Sequence, residues 1–190
     1  VSGTVGELAS GSTTPTSTAS IDGWRNKFTA TGYSTSVDGR FGLHNFAVKP
    51  PIASSDAAVV PQGASFGSVN VAAAGTTTVA GRMADNTAFS TSSFLSPTGK
   101  VIVFQSLYTN NGSVLGRLSI AADTRHTVTI DSGLGFTWSR KPQPTSRSYK
   151  AGFTQPIALE NYATDLTGFL YTPPTGTEIV MGLPAATGTP

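Results

Sequence analysis

From Ile21 onward the chain is built of short runs in which apolar and polar residues alternate, each closed by turn-forming residues. FGSVNV sets Val69 and Val71 on one face, TTTVAGRM sets Val79 and Met83 on one face, and SVLGRLSI alternates Val114, Gly116, Leu118 and Ile120 with Leu115, Arg117 and Ser119. NTAFSTSSFL, KVIVFQSLY, RHTVTI and LGFTWSRKP complete the series, and GWRNKFTATGY and GRFGLHNFAV precede it. The punctuation is Ala74-Gly75, Asp85-Asn86, Pro97-Thr98-Gly99, Asn110-Asn111-Gly112 and Asp131-Ser132-Gly133, all residues that bend backbone or accept left-handed dihedrals. Gly or Pro interrupts nearly every window long enough for a helix, so strands are the remaining solution. A strand every 8–12 residues or so predicts an all-β fold, an antiparallel meander closing into a barrel or sandwich. VIVF, apolar at every position, is expected at the centre of a sheet or beneath a neighbouring element.

The ends read differently. Residues 1–20 comprise an extended arm, in which Val1, Val5 and Leu8 alternate, and a Ser/Thr/Pro/Gly linker with little to bury. Such an arm is either a terminus left by processing or a strand that pairs with a neighbouring subunit. Residues 21–183 are expected to be a single all-β domain, and 184–190 a flexible tail. GFLYTP and TEIVMGL are strand candidates that would close the barrel beside the first strands and cover its edges. The start at Val1, without Met or a leader pattern, reads as a processed segment.

Composition narrows the setting. Only 12% of residues are charged, about half the share of a typical soluble domain, and Ser, Thr and 21 Gly fill the gap. A neutral, hydroxyl-rich surface of this kind points to the extracellular space or the cell surface. Twelve basic residues against 10 acidic leave a net charge of +2 with no polybasic stripe, which argues against nucleic-acid partners. No apolar run approaches the roughly 20 residues of a membrane helix, so no membrane insertion is expected. The absence of cysteine rules out disulfides, thiolate metal sites and cysteine nucleophiles.

FGSVNV, VAGRMADNTAFS, FQSLYTNNGSVLGRLSI, GFTWSRKP and YKAGF, running from Phe66 to Phe153, together resemble a β-rich module found towards the C-termini of large secreted proteins of Verrucomicrobia and related bacteria. The resemblance implies a turn-rich β architecture and transfers no active site. Asn86 stands where such modules usually have Gly, a change Asn accepts because it tolerates left-handed dihedrals. Arg117 stands in place of a common aromatic, which puts a long cation on a strand face, either solvated or turned to a partner.

Candidate chemistry is sparse. His44 and His126 lie on predicted strands with no second ligand at metal-binding spacing, and the carboxylates sit mainly in turns (Asp38, Asp85, Asp131). No Gly-x-Ser-x-Gly elbow and no phosphate loop opening a helix is present, so neither catalysis nor a cofactor is expected. Trp24, Tyr108, Arg117 and Trp138 are the candidate contacts to a partner or a glycan, and Val1, Val5 and Leu8 the candidate assembly arm. The expected function is a non-catalytic secreted or surface structural module that assembles with copies of itself into a filament, sheath or surface layer. The alternatives are a viral coat or decoration protein and a carbohydrate-binding or adhesive module.

Overall fold

A computed structural model describes residues 2–28, 40–51, 59–122 and 127–162. Its elements are all strands: β1 (Ser2–Leu8), β2 (Pro15–Asp22), β3 (Gly42–Lys49), β4 (Ser65–Val71), β5 (Thr76–Arg82), β6 (Ala88–Phe94), β7 (Lys100–Leu107), β8 (Gly112–Ile120), β9 (Val128–Ile130), β10 (Phe136–Arg140), β11 (Ile157–Ala158) and β12 (Glu160–Asn161). The fold is all-β and every pairing is antiparallel. One sheet runs β12-β3-β4-β5-β6, and a second runs β11-β10-β8-β7 with β9 also on β8. The two form a sandwich, not a closed barrel.

Alternation explains why the sheets stack. On β4 and β5 the inward positions include Val69, Val71 and Val79; on β7 and β8 they include Val101, Val103, Val114, Leu118 and Ile120, and all join one buried cluster. Phe46 of the first sheet meets Phe136 of the second with ring centroids 6.4 Å apart. At one side of the sandwich the chain steps from β11 to β12 through buried Leu159, whose N–H donates to the Phe136 carbonyl, so the tail ties the two sheets together. At the other side β6 and β7 share no ladder. There Ser93 Oγ, hydrogen-bonded to Thr77 Oγ1 at 2.9 Å, reaches across to the Ile102 carbonyl at 3.0 Å.

Several expectations change. Residues 15–20 are not a linker: they belong to β2, Pro15–Asp22, which folds back on β1 as a two-stranded ribbon. Gly23–Phe28, expected as a strand, lies outside both sheets and runs as a strap, with the Trp24 indole donating to the Phe94 carbonyl (2.7 Å) and Asn26 Nδ2 to the Ala74 carbonyl (2.8 Å). VIVF lies in β7, the last strand of its sheet, not a central one. Val101 and Val103 are buried while Phe104 is exposed. Val1, His126, the candidate strands GFLYTP and TEIVMGL, and residues 184–190 lie outside the described residues.

Candidate functional site

Three features of the sandwich bear on function: the ribbon, the clamp at its base, and a buried polar network at the far end of the second sheet.

The ribbon is exposed along its whole length. Directly opposed residues of an antiparallel pair share a face, so the register places Gly3 with Ile21, Val5 with Ala19 and Glu7 with Ser17 on one side. That side is apolar towards the base and acidic towards the tip, where Ser17 Oγ donates to Glu7 Oε2 at 3.1 Å. The other side carries Ser2, Thr4, Gly6, Thr18, Ser20 and Asp22. Val5, Leu8 and Ile21 are 52%, 55% and 50% exposed. A lone two-stranded ribbon is marginal in water, and among the described residues nothing is laid against its apolar side.

Arg117 forms the clamp. β9 and β10 are one strand interrupted by a bulge at 131–135 opposite Arg117: the Asp131 N–H donates to the Arg117 carbonyl (2.8 Å), and the Arg117 N–H donates to the Gly135 carbonyl (2.9 Å). The side chain repeats the grip, with Nε and Nη2 donating to Asp131 Oδ1 at 2.8 and 2.5 Å, while Lys100 Nζ holds Oδ2 at 3.1 Å. Burial alone would push the Asp131 carboxyl up, but the hydrogen bonds from Arg117 and Lys100 outweigh it and hold the pKa at about 2. Nη1 of Arg117 reaches Asp22 Oδ2 at 3.3 Å, at the ribbon's last residue. Arg117 is thus not a solvated cation; its side chain is 11% exposed and joins bulge to ribbon.

The polar network corrects one expected surface contact, Trp138, and takes up the hydroxyl of another, Tyr108. Trp138 is fully buried, so it cannot touch a partner or glycan; its Nε1 donates to Tyr108 Oη at 3.0 Å. Tyr108, half-buried, donates to Asp85 Oδ2 at 2.6 Å, and Arg140 Nη1 donates to the same oxygen at 2.6 Å. Asp85 Oδ1 accepts from the Thr87 N–H at 3.0 Å, so the carboxylate is engaged at both oxygens. The Arg140 guanidinium lies 4.6 Å from the Tyr108 ring centroid and donates through Nη2 to Ser146 Oγ and the Ser148 carbonyl. These contacts tie the β5–β6 turn, the end of β7 and β10 to the segment after β10, and they engage both Asp85 oxygens.

Of the remaining candidates, Trp24 is half-buried at the β6–β7 seam, in a shallow depression with Gly23, Ser93, Phe94 and Ile102. His44 is fully buried, its Nε2 2.9 Å from the Arg40 carbonyl oxygen. Among the described residues no three His, Cys, Asp or Glu side chains gather as a metal site. Sequence reasoning missed a depression on the outer face of β4 and β5, lined by Asn45, Phe66, Gly67, Ser68, Ala80, Gly81 and Arg82. The signal for it was the alternation itself, which puts Phe66 and Arg82 outward. No family model, curated protein or solved structure matches the chain.

Proposed function

We propose that this chain is a non-catalytic structural subunit of the cell surface or extracellular space that assembles with copies of itself. The observation that carries the reading is the ribbon: a 7-residue and an 8-residue strand paired away from the sandwich, with Val5, Ala19 and Ile21 aligned on one uncovered side. Covering that side removes apolar surface from water at about 25 cal/mol per Å² and supplies the packing that a two-stranded ribbon lacks alone. The neutral, hydroxyl-rich composition and the resemblance to secreted bacterial modules support the extracellular setting. The engagement of the Asp85 and Asp131 carboxylates supports a structural role over an acid-base one.

The depression beside Trp24 and exposed Phe94 favours a second reading, a carbohydrate-binding module in which these rings stack on a sugar face. Electron microscopy of the full chain and of a chain lacking residues 1–21 separates the two. Ordered polymers from the full chain and dispersed particles from the truncated one support assembly. Dispersed particles from both, together with glycan binding lost in Trp24→Ala, replace it with the second reading.

A further inference from the structure

The acidic tip of the ribbon and the uncovered cation of the β4–β5 depression are complementary. Between residues 2 and 22 the ribbon carries Glu7 and Asp22 and no Lys or Arg, so all 12 basic residues of the chain lie after it. Asp22 already faces Arg117. Glu7 meets no cation among the described residues, and the hydrogen bond its carboxylate accepts comes from the neutral Ser17 hydroxyl.

On the first sheet, the register opposes Phe66 to Arg82 across β4 and β5, both on the outer face. Phe66 is 58% exposed. Arg82 Nη1 donates to the Asn86 carbonyl (2.9 Å) and to Asn86 Oδ1 (3.0 Å), and no carboxylate lies within ion-pair reach of it among the described residues. The surface around the pair is lined by small side chains, Ser68 and Ala80, so an extended ribbon can lie flat on it. The outer face of the second sheet also exposes Phe104 and Leu115, but its cations Arg117 and Lys100 are already held by Asp131.

The geometry points to the β4–β5 depression as the seat for the ribbon of a second copy, with Val5 and Ile21 against Phe66 and Glu7 against Arg82. Val5 and Glu7, two positions apart on one strand face, stand about 7 Å apart. Phe66 and Arg82, directly opposed, have Cβ atoms about 4.5–5.5 Å apart, and the long arginine side chain spans the difference. The contact joins two different patches, so it is heterologous: each copy offers a ribbon and a seat, and repeating the contact builds a ring or a filament according to the rotation between successive copies. This inference rests on the self-assembly reading and names its interface.

Sedimentation velocity on the full chain carrying Glu7→Arg, Arg82→Glu or neither tests it. Each single variant is expected to assemble at least tenfold more weakly than the parent. An equimolar mixture of the two is expected to assemble again, because every contact in an alternating chain then pairs opposite charges. Phe66→Ser, at an exposed position outside the core, is expected to weaken assembly too and keeps the test open if Arg82→Glu disturbs the turn it braces. Single variants that assemble like the parent, or a mixture that stays dispersed while both variants fold, overturn the seat. If removal of residues 1–21 still abolishes assembly in that case, the ribbon reading survives without it; if the truncated chain assembles unchanged, both fall.

Discussion

Arg140 and Asp85 are 55 positions apart in the chain and 2.6 Å apart in space, with side chains 3% and 2% exposed. A buried ion pair of this kind is held by what surrounds it: the Tyr108 phenol and the Thr87 amide complete the carboxylate, and Ser146 and the Ser148 carbonyl share the guanidinium.

Removing one partner leaves the other charge buried alone. Asp85→Ala is therefore expected to lower unfolding free energy by about 3–5 kcal/mol, whereas Asp85→Ala combined with Arg140→Met is expected to recover most of that loss. Denaturant titration measures both. A loss below about 1 kcal/mol in the single variant would show that the pair is not isolated from water.

Tyr108 provides a pH test at the alkaline end. Burial first, and then its hydrogen bond to Asp85, raise the phenol's pKa above its ordinary 10. The folded chain holds the proton longer than the unfolded chain, so the contribution is present below about pH 10 and is lost as pH rises beyond it. Spectrophotometric titration is expected to show one tyrosine ionising late, absent in Tyr108→Phe. Titration of all tyrosines together near pH 10 would contradict this.

Asp131 provides the acid counterpart. Its carboxyl lies near 2 in the folded chain against 3.8 in the absence of partners. Between those values the unfolded chain binds the proton and the folded chain does not, so the stabilisation is complete above about pH 4 and disappears as pH falls through 2. Asp131→Asn should lose about 1.5–3 kcal/mol at neutral pH, the scale of hydrogen bonds to a charged group, with the difference from the parent closing in acid. A difference that does not vary with pH would refute the assignment.

Tyr108, Thr109 and Asn110 all have positive φ, at 54°, 54° and 68°. For exposed, β-branched Thr109 that conformation is strained. Thr109→Gly relieves about 1–2 kcal/mol of left-handed strain against roughly 0.5–1 kcal/mol of added chain entropy. A net rise in Tm is expected. A fall would mean that the Thr109 side chain makes a contact that offsets the strain.

The same residues show how far the sequence could be read. β3 to β8 and β10 were visible because each has one face in the core and one in water, which writes the fold into alternation. Asn86 at φ 70° fits the left-handed turn expected of it. β2 was invisible because PTSTASID buries nothing, and its strand is specified by pairing with β1 alone. The strap 23–28 looked like a strand because Trp24 and Phe28 are strand-favouring residues, yet their side chains serve as anchors for a segment outside the sheets. Trp138 looked like a candidate contact because aromatics alternate on β10, and only the distant partner Tyr108, 30 positions away, shows which face is inside. Arg117 looked solvated because a bulge hides Asp131 from any fixed strand period.

Amide hydrogen exchange above and below the assembly concentration tests the central claim most directly, since it reports on the ribbon itself. In dilute solution the amides of β1 and β2 are expected to exchange nearly as fast as in an unfolded peptide while those of β7 and β8 stay protected; on assembly the ribbon amides are expected to become protected as well. Ribbon amides that exchange at the same rate in both conditions would contradict the account.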